Sequence, residues 1–512
     1  MNLSNKTTIS LFIFLGMLVS FVFAVDEFQL TREHPLIVTS GEANYDGQDI
    51  VLVGDVSVQH SLGKILAKNL SIHASKLEDK KNKFSLMNIC DHVQIEFYKG
   101  GKLYCSQALV DYEKMIGTFS GTPDQPDVIY TNVGEQGDSQ STLPLLEIKS
   151  PSFSIVLVKE PISGLNYAYT LVDHITSNDR VEAKYVAPNQ TFLLKAGQAL
   201  YQKLATLDPS TKEGLLKLNA NEEMPLCLLQ TLNGDQLEAR EIQLNSSDKQ
   251  LSMVDVKGTL SLDKAGLSSQ SLELASDKLL WDDQNQSLSL FGQVSITQNG
   301  TIQIKTDNYM KITLGNLNHQ SFLRSVHIPQ RTEIVYLDAS KKVKHRMSCP
   351  GSLMMDHEKQ EVVLKGIEEA SDMPESHQVY IDDELGELYA DEVRVNYDWV
   401  NHELVPSKIE LKGNVRLLNR FDGHVQESAS ILHYAIADQI DYFPKTFEML
   451  LRGNEKSQVL FFDKVNQIQM SASSLKISMN PTTRKEFIQG IGDVRFTFLD
   501  QELEQIKKRF HL

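Results

Sequence analysis

A chain of 512 residues is too long for one compact core; about three domains of roughly 150 residues, or one elongated array, would account for it. Apolar residues at 41% and charged residues at 23% are the proportions of an ordinary folded chain, which argues against wholesale disorder. With 50 basic and 67 acidic residues the net charge is −17, and the one dense basic run, Lys341 to Arg346, is short, so nucleic acid is not an expected partner.

The chain opens on a single charge, Lys6, followed by an uninterrupted apolar run from Ile9 to Ala24. Val22-Phe23-Ala24 offers small or modest side chains to a processing enzyme, and acidic residues follow. Residues 1–24 therefore read as a signal peptide. The run falls short of the roughly 20 residues that span a bilayer, and an uncleaved anchor is the alternative. Removing Lys6 would take the net charge from −17 to −18.

Two short boxes then recur. The first reads apolar-x-Gly-x-apolar-x-apolar and occurs at Leu52-Gly54-Val56-Val58, Val256-Gly258-Leu260-Leu262, Leu290-Gly292-Val294-Ile296, Leu411-Gly413-Val415-Leu417 and Gly490-Gly492-Val494-Phe496. Met87 to Ile95 is a copy with Asp91 in the Gly slot, and Leu364/Gly366 and Leu451/Gly453 are worn copies. The second box reads apolar-x-Ala-x-x-apolar-x-apolar. It occurs at Ile65-Ala67-Leu70-Ile72, at Leu103-Cys105-Ala108-Val110, at Leu237-Ala239-Ile242-Leu244, at Leu388-Ala390-Val393-Val395 and at Met470-Ala472-Leu475-Ile477.

Both boxes alternate with period two, the pattern of strands with one buried face. In the first, Gly shares parity with the apolar residues and is expected to point inward, deleting a side chain from the lining. In the second, the extra residue before the last apolar pair calls for a β-bulge to restore phase. Turn signals at Asp46-Gly47, Gly100-Gly101, Asn299-Gly300 and Asp422-Gly423 separate the strands. Stacked units of this kind bury a continuous core. Ser120 to Pro144 reads as a loop or linker, Lys195 to Leu218 as helical, and Asp500 to Phe510 as a helix that caps a sheet edge.

Chemistry is sparse. No phosphate-binding, zinc-protease, nucleophile-elbow or EF-hand pattern is present. Asp356-His357, Ser348-Cys349, Asp382-Asp383-Glu384 and Asp391-Glu392 read as surface polar groups, because nothing singles out one pair. No catalytic residue, metal or cofactor is expected. Around the turn at Lys99-Gly100-Gly101 a symmetric hairpin would set Cys105 opposite about Ile95, which argues against a bridge to Cys90. Cys227 and Cys349 show no partner.

Three segments carry a resemblance. They are Tyr45-Asp46 through Gly54-Asp55-Val56 to Ala67, Leu274 to Ile304, and Ala390-Asp391-Glu392 through Gly413-Asn414-Val415. Ile491-Gly492-Asp493-Val494-Arg495-Phe496 repeats the last phrasing. Together they resemble the exported lipopolysaccharide-transport family, the OstA-like β-jellyrolls of LptA, LptC and the N-terminal domain of LptD. The chain departs from it in being much longer than the single-module bridge protein, in the region Ser120 to Pro225, and in lacking a C-terminal barrel.

The resemblance implies an all-β fold, an elongated β-jellyroll of rolled antiparallel strand repeats with a small helical insert and a C-terminal helix. The expected organisation is a signal peptide or anchor (1–24), OstA-like repeats (25–119), a linker with a partly helical insert (120–235), further OstA-like repeats (236–498) and a C-terminal capping helix (499–512). It also implies a periplasmic, non-enzymatic protein that carries or bridges lipopolysaccharide, or another acylated glycolipid, toward the outer membrane. Other jellyroll modules would join it by edge-strand addition. The groove expected to hold acyl chains is lined by Ile50, Leu52, Val56, Val58, Leu290, Val294, Ile296, Leu411, Val415 and Leu417. At roughly 0.8 kcal/mol per methylene, a long chain would gain at most about 10 kcal/mol there. The rival readings are a structural or adhesive exported β-solenoid without lipid, and a carbohydrate-active enzyme.

Overall fold

The computed structural model describes residues 37–498, apart from 75–83, 99–100, 133–144, 162–167, 188–189, 204–213, 233, 263–269, 299–300, 318–319, 338–342, 368–376, 384–385, 401–402, 421–430, 464–466 and 480–485. Among the described residues there are forty strands, all paired antiparallel, and no helix. The expected signal segment and C-terminal helix lie outside the described residues. The chain divides into two compact units, one of Met1–Val133 with Ser152–Ile175, the other of Gly134–Pro151 with Thr176–Leu512.

The first unit is built on a meander of Asp49–His60, Gly63–Ala74, Phe84–Phe97 and Lys102–Asp111. Each strand bends once, at a shared line. Val53 pairs with Asn69 and Val56 with Ala67, so Gly54-Asp55 bulges out opposite Lys68. Cys90 pairs with Gln107 and Val93 with Cys105, leaving Asp91-His92 opposite Ser106. Gly54 and Asp55 have φ of 80° and 44°, and Asp91 and His92 have 66° and 56°. Two successive left-handed residues turn the strand, and Gly, Asp and Asn reach that conformation at least cost.

This corrects the expected role of the glycine. Gly54 is exposed and sits in the bulge, so it does not line the interior. Cys105 lies opposite Val93, not Ile95, whose partner is Leu103. All four cysteines are free thiols.

In the second unit the pairings sort the strands into two series, here called walls. The chain visits them alternately, laying two strand segments on one wall and the next two on the other. The first wall includes Val294–Gln298, Ile302–Thr306, Thr332–Leu337, Val343–Cys349, Val379–Asp383 and Gly386–Ala390. The second includes Ser287–Phe291, Tyr309–Leu317, Gln320–Ile328, Leu353–Asp356, Glu361–Lys365 and Glu392–Val400. Four long strands, Gln250–Leu262, Gln270–Asp282, Glu403–Arg420 and Ile431–Phe443, belong to both, running along one wall, bending, and continuing along the other.

The bends are what the boxes encode. In the first box the leading apolar residue ends on the second wall and the next one begins on the first wall, with left-handed backbone between, a pair of residues at most copies and Gly292 alone at one. Gly413 and Asn414 have φ of 74° and 45°, and Gly492 and Asp493 have 73° and 43°. In the second box the Ala closes the first wall and the apolar residue three positions on opens the second, as at Ala239/Ile242 and Ala390/Val393. The copy expected at Val256-Gly258 is out of phase. The bend there is at Asp255, with φ 54°, and Gly258 is instead forced by the backbone of Gln236, which a Cβ would overlap.

Among the described residues of the expected helical insert there is no helix. Thr191–Ala196, Gln198–Lys203 and Gly214–Asn219 are strands, with Phe192, Leu194, Ala199, Tyr201, Leu216 and Leu218 buried in strict alternation. Leu200 and Leu215, which had suggested helical spacing, face outward; residues 204–213 lie outside the described residues. Of the expected linker from Ser120 to Pro144, Val128–Thr131 is a strand and residues 133–144 lie outside the described residues.

Candidate functional site

The residues flanking the bends form two rows of the inner face, one on each wall. On the first wall the row pairs Val294 with Thr306, Thr306 with Thr332 and Thr332 with Cys349; farther along it pairs Val379 with Ala390 and Val459 with Ala472. Every member is buried. All are small, because the walls are nearest where the chain has just turned between them. On the second wall the matching row runs through Leu290, Met310, Ile328, Leu353, Leu364, Val393 and Leu411, equally buried but larger. The buried Cys349 thiol donates to the carbonyls of Ser352 and Lys365, and burial pushes its pKa up to about 11.

Polar latches hold the bends. Asp391 accepts from the Asn414 amide at 2.9 Å and from Gln378 at 2.7 Å, and its own N–H donates to the carbonyls of Lys412 and Gly413. Asn69 donates to Asp91 at 2.7 Å, Arg240 pairs with Asp255 at 3.2 Å, and the Gln293 N–H donates to Asp277 at 3.1 Å. These pairs explain two glycines. A Cβ on Gly413 would overlap the Asp391 carboxylate, and one on Gly292 that of Asp277.

One step outward from the bend lies a second inner row on each wall, and there the burial changes along the chain. On the first wall its cross-strand pairs run Leu274, Ile296, Ile304, Ile334, Met347, Ile381, Leu388, Leu417, Ala435, Phe461, Met470. Leu274 and Ile296 are at most 6% exposed; Ile304 through Leu417 are all half-buried; Ala435, Phe461 and Met470 are buried again. On the second wall the pairs run Leu288, Ile312, Val326, Met355, Val362, Val395, Ile409, Tyr442, Met449. Leu288 and Ile312 are buried, and everything from Val326 onward is half-buried. Between about Ile304 and Leu417 the walls therefore part beyond the bend, and water reaches aliphatic side chains on both.

A third row outward is polar or aromatic over the middle of this stretch, with Ile302 on the first wall and Leu314 and Leu323 on the second continuing it as aliphatic at its start. The rings of Tyr336 and His345 lie 5.4 Å apart and tilted on the first wall, where His433 also lies. On the second wall the Tyr397 hydroxyl lies 2.8 Å from His357 Nδ1, and Arg324 pairs with Glu358.

Of the expected groove residues, Leu290, Val294, Leu411 and Val415 belong to the buried rows at the bend, and Ile296 to the closed end of the second row. Leu417 lies in the half-buried stretch. In the first unit Leu52, Val56 and Val58 are buried in a closed core, with Ile50 half-buried beside them. The structure thus brings Leu290, Val294, Ile296, Leu411, Val415 and Leu417 to one inner face but leaves most of them beneath the accessible surface. The residues that do meet solvent there, Ile304, Ile334, Met347, Ile381 and Leu388 among them, mostly lie in plain alternating strands without a distinctive box. Asp356 binds the turn amides of Glu358 and Lys359. Among the described residues no three His, Cys, Asp or Glu side chains come together as a metal set. Set against known proteins, the chain matches no family model, and no curated protein matches it at a significant level.

Proposed function

We propose that this protein is an exported, non-enzymatic carrier that holds the acyl part of an amphiphile, of the class of lipopolysaccharide or another acylated glycolipid, in a periplasmic transfer toward the outer membrane. The observation that supports this reading is the half-buried aliphatic row from Ile304 to Leu417, faced by Val326 to Ile409 on the opposite wall. Aliphatic surface that is open to water on both sides of a cleft is a cost to a folded protein unless something covers it. An extended polypeptide is poorly suited to the place. The faces of the walls, unlike an edge, have their backbone groups committed to the ladder and leave none for a peptide. Hydrocarbon needs none. The polar third row would stay with a hydrated headgroup.

The test is to purify the protein from its native envelope under mild conditions and analyse co-purified lipid by mass spectrometry. Photocrosslinking residues would be placed at Ile334 and Met347. Acylated lipid crosslinked from those positions, with none from Leu290, is the expected result. Lipid-free protein with no crosslink from either position would leave the chain as a scaffold without cargo.

A further inference from the structure

We infer that the cleft is a blind groove that seats one hydrocarbon chain laid along it, across the strands, and does not continue as a conduit toward the earlier strands of the same unit. The inference rests on the carrier reading above and narrows it. Three observations carry it.

The first is closure at one end. Leu274 and Ile296 on the first wall, and Leu288 and Ile312 on the second, are all at most 6% exposed. Both walls thus seal before Ile304, and the earlier strands pack as an ordinary core. The second is the stop at the other end. After Leu417 the first wall carries Ala435, then Phe461 and Met470, buried at 4% and 5%. Phe461 and Met470 close the first wall there, while Tyr442 and Met449 on the second wall stay half-buried, so the stop is made from one side. Between these limits the first wall contributes six strands, which at about 4.8 Å spacing give a groove of roughly 29 Å.

The third observation is depth. Below the half-buried row lies the buried row of the bend, and above it lie Tyr336, His345 and His433. Ile302 on the first wall and Leu314 and Leu323 on the second widen the aliphatic surface only at the closed end, so along the middle of the groove each wall offers one aliphatic row, about 7 Å of strand, which is room for one chain thickness and not for a sheaf of chains. For a lipid with several acyl groups, one would be seated and the others would remain outside this groove.

The experiment titrates the full-length protein with saturated fatty acids from decanoate to triacontanoate, so that the longest chains outrun the groove. Affinity is read by displacement of a fluorescent fatty acid, and stoichiometry by native mass spectrometry. The expected result is one chain per protein, with affinity rising about fourfold per methylene and then levelling once the chain fills the groove. Phe461→Ala should move the levelling point to longer chains. Met347→Trp, placed mid-groove, should weaken long chains at least tenfold while sparing short ones, and it serves if the first variant fails to fold. Two or more chains per protein, or affinity that climbs through the whole series, would overturn the blind groove and leave the carrier reading standing. Failure of the protein to bind any chain would overturn both.

Discussion

The side-chain amide of Asn414 donates to Asp391 Oδ2 across 2.9 Å, tying the left-handed bend of one strand to the bend of its neighbour. Asp391 directly follows the Ala of one box, and Asn414 directly follows the Gly of the other. The two boxes are thus halves of one device: a bulge that turns the chain, and a carboxylate that takes up the polar groups the turn exposes.

Gly413→Ala should therefore be worse than Gly54→Ala. Both force a side chain into left-handed backbone, at about 1–2 kcal/mol. Only at Gly413 does the new methyl also displace the Asp391 carboxylate, which should bring the loss to about 2–4 kcal/mol. Denaturant unfolding of the two variants measures the difference. Equal losses would mean that the latch contributes nothing.

Leucines of the two inner rows should respond differently to truncation. Leu411 is buried at the bend, and Leu411→Ala should cost about 2–5 kcal/mol through lost burial and the cavity left behind. Leu417 is already half in water, so Leu417→Ala should cost about 1–2 kcal/mol. Unfolding in the absence of lipid checks the order; a larger loss at Leu417 would show that the second row is closed in solution.

Acid should remove one specific contribution. Asp441 is buried, an arrangement that by itself would raise its pKa. Hydrogen bonds from Gln439 and Arg452 and the nearby Lys408 ammonium outweigh this and hold the pKa below the usual 3.8. A folded-state pKa below the unfolded one stabilises the fold at all pH values above about 3.8, and the contribution fades as pH falls through the folded value. Asp441→Asn should cost about 1–3 kcal/mol at neutral pH, with the gap to the parent protein shrinking below pH 3.8. A gap that is independent of pH would assign the loss to packing.

The four thiols should separate by reactivity. Burial pushes Cys105 and Cys227 up to about 12 and Cys349 up to about 11. Cys90 is raised as well, by partial burial and the adjacent Asp91 charge, but it alone is not fully buried. Titration of the native protein with a thiol-reactive chromophore should label Cys90 first, and the other three only on unfolding. Early labelling of Cys349 would point to local opening of the bend.

Much of the fold was legible in the residues. Period-two alternation and the spacing of Gly54, Gly292, Gly413 and Gly492 announced a repeated all-β unit, because a strand with one buried face has no other economical pattern. The same pattern misplaced Gly258, since Asp255 can also enter the left-handed region and sequence does not show which residue does. Leu200, Leu204 and Leu215 suggested a helix, because short apolar runs satisfy both periods at once.

The sequence by itself determined the parity by which the apolar side chains of the boxed strands face inward and the neighbourhood of most bends, since both follow from local backbone chemistry. Only the tertiary structure decided which of these inward positions are sealed. Leu290 and Leu411 beside the bends are buried, whereas Ile334 and Met347, one step outward, meet solvent. Alternation assigns all four to the interior side, and only the packing of many strands, most of them distant in sequence, decides which of them a ligand could touch.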